Sequence, residues 1–268
     1  MIHATLDCYG ANTHQLDDIK HINDLLNSLC YTLDLNPITP PQLIPYYYGK
    51  VKDDLGISAF VFLDGGHATI HTFPLRECYF VDILCNTDTS IEKITDFFKK
   101  ELPFKEDLSF INLENRSIVK NEILEYDPAS DFGPHLMSKL QATTIPTMES
   151  FFEFLETMVE EIHMDPISRA YLIKSPTTNS KYLSGLIVIA QSHIALHYNY
   201  ETNEILADIF SCAPFDYRDV NKYFEKLGTI TSNSLIARGT KHIYKVKSKI
   251  DNLDLMKSTK WQKTVKNK

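Results

Sequence analysis

The sequence predicts an α+β fold of two repeated α/β-sandwich units. Each unit is an antiparallel sheet with helices on one face, and the two pack as an intramolecular pseudodimer. Three observations lead to this prediction. The same order of apolar patterns occurs twice along the 268 residues. Polar residues recur at one fixed offset within those patterns, which is the signature of an internal repeat. Each sheet also leaves one face that a second copy can cover about a pseudo-twofold axis.

Each element of the first half is predicted from its apolar pattern. Alternating apolar residues favour strands, and apolar residues three and four apart favour helices with one buried face. Short polar breaks between consecutive strand patterns indicate tight turns and an antiparallel sheet. In order, the predicted elements are a strand at 2–8, a helix at 14–31, strands at 43–51, 57–64, 67–73 and 78–85, a helix at 89–102 and a strand at 108–115.

The same order begins again after a charged linker near residues 113–130. The predicted elements are a strand at 133–141, a helix at 147–162, strands at 168–175, 183–190, 193–198 and 204–212, and a helix at 217–228. We therefore expect three segments: a first unit at 1–118, a second unit at 130–246, and a loose lysine-rich tail at 247–268.

An offset of 126 residues aligns the two halves without a gap from Ser58 to Asn86. His3 also matches His135, at a slightly different offset. The alternative is two unrelated α+β domains that share a strand rhythm. The matched polar pairs are Ser58 with Ser184, His67 with His193, His71 with His197, and Asp82 with Asp208.

Composition excludes several classes of protein. A formal net charge of -8 argues against a nucleic-acid binder with a general basic face. Five cysteines with no CxxC pair argue against a disulfide scaffold or a structural metal site. The N-terminus lacks the pattern of a signal peptide, and no run reaches the roughly 18 apolar residues of a membrane span. These features predict a soluble, cytoplasmic protein with neither a nucleic-acid nor a membrane partner, and they leave room for a small cationic substrate.

Residues 184–212 gather the candidate chemistry of the second half. Residues two apart in a strand share a face, so His193 and His197 lie on one side of one strand. Ser192 opens that strand and Cys212 ends the next, so a serine, a histidine and a cysteine can converge at one edge. Taken singly, Ser192 is an ordinary turn residue, the histidines are ordinary sheet residues, and Cys212 is a small buried hydrophobe.

The second half resembles the bacterial S-adenosylmethionine decarboxylase family. The family's hallmark is SG, an apolar run, ES-H-x-x-x-H-T-W-P-E and later D-x-F-T-C. Here the corresponding text is SGLIVIAQSHIALHYNYE and DIFSC. The openings HATLDCYG and GPHLM also match, so the resemblance covers nearly the whole chain, once per unit. The family spacing from serine to both histidines, to glutamate and to cysteine is intact in the second unit.

The resemblance implies a self-made cofactor. Family proenzymes cut themselves on the N-terminal side of the serine, which here is the bond between Gln191 and Ser192. Ser192 would become a pyruvoyl group that forms a Schiff base with the substrate amine and accepts electrons as CO2 leaves. His197 would shuttle the proton during cleavage, and Ser184 would donate a hydrogen bond to the oxyanion.

The resemblance also assigns residues to turnover. Cys212 would return a proton to the α-carbon of S-adenosylmethionine, and Glu201 would hold the ribose hydroxyls. The product would be the aminopropyl donor for spermidine synthesis. Tyr47, within the run Tyr46–Tyr48, would stack on the adenine. The run can equally be a strand-edge aromatic cluster.

The first unit lacks the same chemistry. Gly66 replaces the serine, Asn86 stands in the cysteine's place and Leu75 replaces the glutamate. We therefore expect one active site, in a monomeric pseudodimer or a further homodimer. The family's Glu is Gln191 and its TWPE is YNYE in the second unit. These departures leave open another amino-acid substrate, such as arginine or ornithine, or a pseudoenzyme that binds S-adenosylmethionine or regulates a partner.

Overall fold

The computed structural model describes residues 1–175, 181–190 and 192–241. Within them the chain forms two sheets that face each other, with helices on the two outer faces. The predicted α+β class and the duplicated sandwich are confirmed. In the described part of the chain, no helix is long and apolar enough to cross a membrane.

The first unit builds a six-stranded antiparallel sheet in the order β2-β3-β4-β5-β1-β6. Its elements are β1 (Ile2–Tyr9), α1 (Thr13–Leu16), α2 (Ile19–Thr32), β2 (Gln42–Tyr46), β3 (Gly56–Leu63), β4 (Gly66–Phe73), β5 (Cys78–Cys85), α3 (Ile91–Glu101) and β6 (Phe110–Asn115).

The second unit builds a seven-stranded sheet in the order β7-β13-β8-β12-β11-β10-β9. Its pairs are antiparallel except β7 with β13. The elements are β7 (Asn121–Ile123), β8 (Asp131–Ala142), α4 (Met148–Glu161), β9 (Tyr171–Lys174), β10 (Tyr182–Ile189), β11 (Ser192–Asn199), β12 (Glu204–Phe210), α5 (Tyr217–Phe224) and β13 (Gly228–Thr240).

Three local predictions differ from the structure. The helix expected at 14–31 is two helices, because the Asp18 side chain caps α2 by accepting from the backbone of Lys20 and His21. The expected linker at 113–130 contains the end of β6 and all of β7. No residues had been assigned to a closing strand in the second unit, and β13 lies there. The unit boundaries 1–118, 130–246 and 247–268 stay predictions, and residues 242–268 lie outside the described part.

Alternation along the strands divides the side chains between two environments. In β3, Ala59 and Val61 pack toward the helices of their own unit, whereas Phe60 and Phe62 face the other sheet. Phe60 and Phe62 pack there with apolar residues of β10 and β11. Burying one such side chain contributes roughly 1.5–3 kcal/mol. The interface therefore has an apolar part, and the remaining space between the sheets holds buried polar residues.

Candidate functional site

Strands β4 and β11 cross antiparallel at the centre of the interface. Nδ1 of His67 lies 2.8 Å from Nε2 of His197, and Nε2 of His71 lies 2.9 Å from Nδ1 of His193. The C-terminal part of β4 thus contacts the N-terminal part of β11, and the reverse. The start of β11, at Ser192, consequently lies beside the end of β4.

The crossing creates two pseudo-equivalent ends. We call one the Ser192 end, formed by Ser192 and Cys212 of the second unit with Ser58 and His71 of the first. We call the other the Gly66 end. It is formed by Gly66 and Asn86 of the first unit with Ser184 and His197 of the second. Each end therefore draws on both units.

Ser192 and Cys212 lie together, as the sequence predicts. Ser192 is fully buried, and its Oγ accepts a hydrogen bond from the backbone N–H of Cys212 at 2.9 Å. The Cys212 thiol donates to the carbonyl of Ala190 at 3.3 Å. These contacts put Cys212 beside Ala190 and Ser192, the two described residues that flank Gln191. Gln191 itself lies outside the described residues.

Burial raises the pKa of the Cys212 thiol to about 11, and the nearby Asp54 carboxylate acts in the same direction. The thiol is therefore protonated at neutral pH. A protonated thiol is a poor nucleophile and a competent proton donor. Its state suits the general-acid role that the resemblance implies.

The structure separates the other predicted residues from Ser192. His197 lies five positions further along β11, which is roughly 17 Å in an extended strand. Ser184 is hydrogen-bonded to His197, with 2.8 Å between Oγ and Nδ1. Glu201 lies beyond the far end of β11 and pairs with Lys181 at 3.1 Å. The expected convergence of His197 with Ser192 and Cys212 is thus corrected, because one extended strand cannot bring both of its ends to one point.

The corresponding pair at the Ser192 end comes from the first unit. Oγ of Ser58 lies 2.8 Å from Nδ1 of His71, and His71 contacts His193, the neighbour of Ser192. Sequence reasoning had matched Ser58 with Ser184 and His71 with His197 but had not used them. Combining that match with an antiparallel crossing of the two copies would have found this pair.

A cavity of about 470 Å³ opens beside Cys212. Tyr46 and Tyr48 line it with their rings 4.8 Å apart, and the carboxylates of Asp54 and Asp165 lie on its wall. Lys50 lines it as well, so the aromatic faces, rather than a net negative charge, suit a flat, cationic ligand.

Tyr47 does not line this cavity. Its hydroxyl donates to the carboxylate of Asp17, and the side chain is half exposed. The reason is alternation, because neighbouring residues in an extended segment point to opposite sides. The cavity therefore presents the rings of Tyr46 and Tyr48, whereas Tyr47, the expected stacking residue, points away from it.

Two buried arginines that the sequence analysis missed join the units. Arg116 follows β6 and donates to Nδ1 of His3 at 2.9 Å and to the carbonyl of Ser138 at 2.8 Å. Arg238 on β13 donates to Nδ1 of His135 at 2.9 Å and to Asp82 at 2.7 Å. Each guanidinium therefore bonds to residues of both units, and breaking such a buried contact is costly.

Strand register makes these arginines equivalent. The partner of His3 in β6 is Glu114, and the partner of His135 in β13 is Ile236. Each arginine lies two residues beyond that partner. The equivalence of the two arginines could have been found in the sequence only if the position of β13 had been known.

Two buried groups lie close enough to hold a metal ion: His3, Asp82 and His135, and His3, His67 and Asp208. Arginine is a donor only, so Nδ1 of His3 and of His135 must accept. A neutral ring of this kind carries its proton on Nε2, the atom that faces the carboxylates at 3.6 Å in His3 and 3.8 Å in His135. These rings therefore offer N–H groups to the carboxylates. The geometry favours a hydrogen-bonded network over metal coordination.

Burial keeps several of the interface histidines neutral. It holds the pKa of His71 well below its usual range and lowers the pKa of His135 and of His197 to about 4. Burial alone would raise the pKa of Asp208. The neighbouring His67, His135 and His193 rings outweigh burial and hold that pKa well below its usual range. The Asp208 carboxylate is therefore ionised, and the His71, His135 and His197 rings are neutral.

Comparison with known proteins gives one family. The sequence model described as S-adenosylmethionine decarboxylase matches residues 2–108 and 137–232, once in each unit. The S-adenosylmethionine decarboxylase proenzymes of Clostridium botulinum strains Langeland and Okra are each 28% identical over 104 residues, covering 38% of this chain and 84% of the relative. The adenosylmethionine decarboxylase of Aquifex aeolicus VF5 has a crystal structure with a TM-score of 0.37 and 22% identity, covering 46% of this chain and 96% of that chain.

Proposed function

The chain belongs to the S-adenosylmethionine decarboxylase family, and on that premise we propose that it decarboxylates S-adenosylmethionine at the Ser192 end. The product is the aminopropyl donor for spermidine synthesis. One observation carries the placement. Cys212 bonds to Ser192 and lines a cavity of about 470 Å³, and His193, the residue after Ser192, contacts His71 of the His71–Ser58 pair in the first unit.

The residues at this end fit a pyruvoyl group made from Ser192. Ser192 is buried at the first position of a strand, so a new chain terminus there stays anchored by the ladder to β10 and β12. Cys212 and the cavity lie on the side of the bond to be cut. When formed, the group supplies an electrophilic carbonyl that binds the substrate amine and takes up electrons as CO2 departs.

Self-cleavage needs a hydroxyl, a proton carrier and a hydrogen-bond donor. Ser192 Oγ attacks the carbonyl carbon of residue 191, so an ester C–O bond forms as the peptide C–N bond breaks. Removal of the Ser192 Cα proton then breaks its Cβ–O bond and releases residue 191 as a carboxylate. Water afterwards replaces the nitrogen, which leaves as ammonia. His71 is neutral and can accept protons in these steps, and Ser58 relays them.

During turnover, the protonated Cys212 thiol donates to the substrate α-carbon after CO2 has left. Tyr46 or Tyr48 stacks on the adenine, and the second aromatic face attracts the positively charged sulfonium. The carboxylate of Asp54 is already paired with Arg76 at 2.7 Å, so Asp165 is the acidic group more available to the sulfonium.

Intact mass and a denaturing gel of the purified full chain test this proposal. Wild type should split into fragments of 191 and 77 residues, the second carrying a blocked N-terminus. Ser192→Ala should stay whole. A wild-type chain that never splits would overturn the pyruvoyl function and favour a non-catalytic role. If the chain splits, CO2 release from S-adenosylmethionine, arginine and ornithine identifies the substrate, and release from S-adenosylmethionine is expected.

A further inference from the structure

One continuous chain of hydrogen bonds crosses from the second unit to the first at the Ser192 end. Oδ2 of Asp208 lies 3.2 Å from Nε2 of His193, and Nδ1 of His193 lies 2.9 Å from Nε2 of His71. Nδ1 of His71 then lies 2.8 Å from Oγ of Ser58. All four side chains are buried, with exposure of 2% or less.

A neutral His193 ring gives this chain of bonds one direction. An ionised carboxylate only accepts, so Nε2 of His193 carries a proton, and Nδ1 of the neutral ring has a lone pair. That lone pair can be satisfied only by an N–H on Nε2 of His71. The neutral His71 ring therefore has its own lone pair on Nδ1, and this atom accepts from the Ser58 hydroxyl.

Two further rings lie near the carboxylate, outside hydrogen-bonding distance. Arg238 donates to Nδ1 of His135, so Nε2 of that ring carries a proton and faces Oδ2 of Asp208 at 3.8 Å. Nε2 of His67 also lies 3.8 Å from the same oxygen. These rings favour the ionised state of Asp208, and in that state its carboxylate accepts from His193 and orients that ring.

We propose that Asp208 and His193 are positioning residues for self-cleavage, holding His71 in the tautomer whose Nδ1 lone pair faces Ser58. This inference rests on the proposed function, because it assigns His71 as the proton acceptor there. The effect of Asp208 and His193 passes from the second unit to the first and back to Ser192.

The Gly66 end has a similar chain with a weaker anchor. Nδ1 of His67 contacts Nε2 of His197 at 2.8 Å, and His197 contacts Ser184. Yet His67 lies 3.8 Å from Asp208, beyond hydrogen-bonding distance, whereas His193 lies at 3.2 Å. Of these two chains of hydrogen bonds, the one with the closer carboxylate lies at the Ser192 end, where the serine needed for cleavage is present.

The tautomers can be read directly by NMR. Ser192→Ala protein labelled with ¹⁵N-histidine stays uncut, so this measurement does not depend on cleavage. We expect the His71 and His193 rings to be neutral and protonated on Nε2. A His71 ring protonated on Nδ1 would overturn the proposal. In the Asp208→Asn, Ser192→Ala double variant, the amide can donate to His193, so both rings should switch their proton to Nδ1.

Two substitutions of similar size test the consequence for cleavage. In His193→Asn the amide oxygen can replace Nδ1 and still accept from His71, so cleavage should stay within about tenfold of wild type. His193→Leu removes that acceptor and should slow cleavage by roughly 10²-fold or more. Equal rates for the two variants would reject the positioning role.

The outcomes separate the two proposals. If wild type is never cut, the proposed function fails, whatever the tautomers are. If wild type is cut and His193→Leu is cut equally fast, the positioning role fails alone. Far-UV circular dichroism of the uncut variants checks folding. Should the leucine variant not fold, the tautomers of the Ser192→Ala protein decide the question.

Discussion

At the Ser192 end, the hydroxyl of Ser192 and the thiol of Cys212 stand opposite a histidine–serine pair from the other unit. At the Gly66 end, Gly66 and Asn86 stand opposite an equivalent pair, His197 with Ser184. The cavities differ too, at about 470 Å³ and about 220 Å³.

The comparison shows how a duplicated unit can specialise without becoming dispensable. Each end takes its nucleophile position from one unit and its histidine from the other. Loss of the serine in the first unit removes a site at the Gly66 end, but leaves His71 in place for the Ser192 end. The retained His197 of the second unit, conversely, lies at an end with nothing to cut.

The largest expected difference between the two ends comes from replacing the histidine of each end in turn. We expect His71→Asn to slow self-cleavage by roughly 10²-fold or more, because the proton acceptor is lost. The matched His197→Asn variant should be cut at nearly the wild-type rate, since His197 lies at the other end of β11. Gel time courses after synthesis measure both. The reverse order of sensitivity would return the processing role to His197 and Ser184.

The second test separates cleavage from turnover. Cys212→Ala should still be cut, whereas CO2 release from S-adenosylmethionine should fall by roughly 10²-fold or more, because the proton donor is lost. Asn86→Ala, the matched change at the Gly66 end, should leave both rates near wild type. A Cys212→Ala protein that is cut and turns over normally would remove the thiol from the mechanism.

Acid should destabilise the interface in a defined window. Burial lowers the pKa of His135 and of His197 to about 4, whereas an unfolded histidine titrates near 6.5. The unfolded chain then binds more protons, so stability falls as the pH drops from about 6.5 to 4. Each ring contributes a loss of about 3 kcal/mol at pH 4. Urea unfolding across this window measures the slope, which His197→Asn should reduce. An unchanged slope would mean that His197 is charged in the folded protein.

The smallest effect concerns repair of the Gly66 end. A Cβ built on Gly66 would lie 1.9 Å from the backbone carbonyl oxygen of Leu84, so the strand must shift to accept a side chain. We expect Gly66→Ser to lower stability by roughly 1–3 kcal/mol without creating a second cleavage. Thermal unfolding and intact mass check the two parts. A stable variant cut before residue 66 would show that the serine alone separated the two ends.

Much of the fold could be predicted because strands and helices each impose a characteristic periodicity on the apolar residues of the sequence. The repeat, the order of strands and the closeness of Ser192 to Cys212 follow from local patterns and one offset. β13 was missed because its residues GTITSNSLIARGT mix polar and apolar side chains without a clean alternation. It is a strand by virtue of its ladder to β8, which is a contact between distant parts of the chain.

The sequence by itself determined which residues could do chemistry, because residue type and spacing along a strand are local properties. It placed Ser192 and Cys212 on neighbouring strands and identified Gly66 as incapable of forming the cofactor. Only the tertiary structure decided which histidine meets which serine. That choice depends on how two sheets cross, and the crossing is set by buried contacts between residues more than 100 positions apart, such as His71 with His193. Spacing within one unit therefore pointed to His197, whereas packing between the units places His71 against His193, the residue next to Ser192.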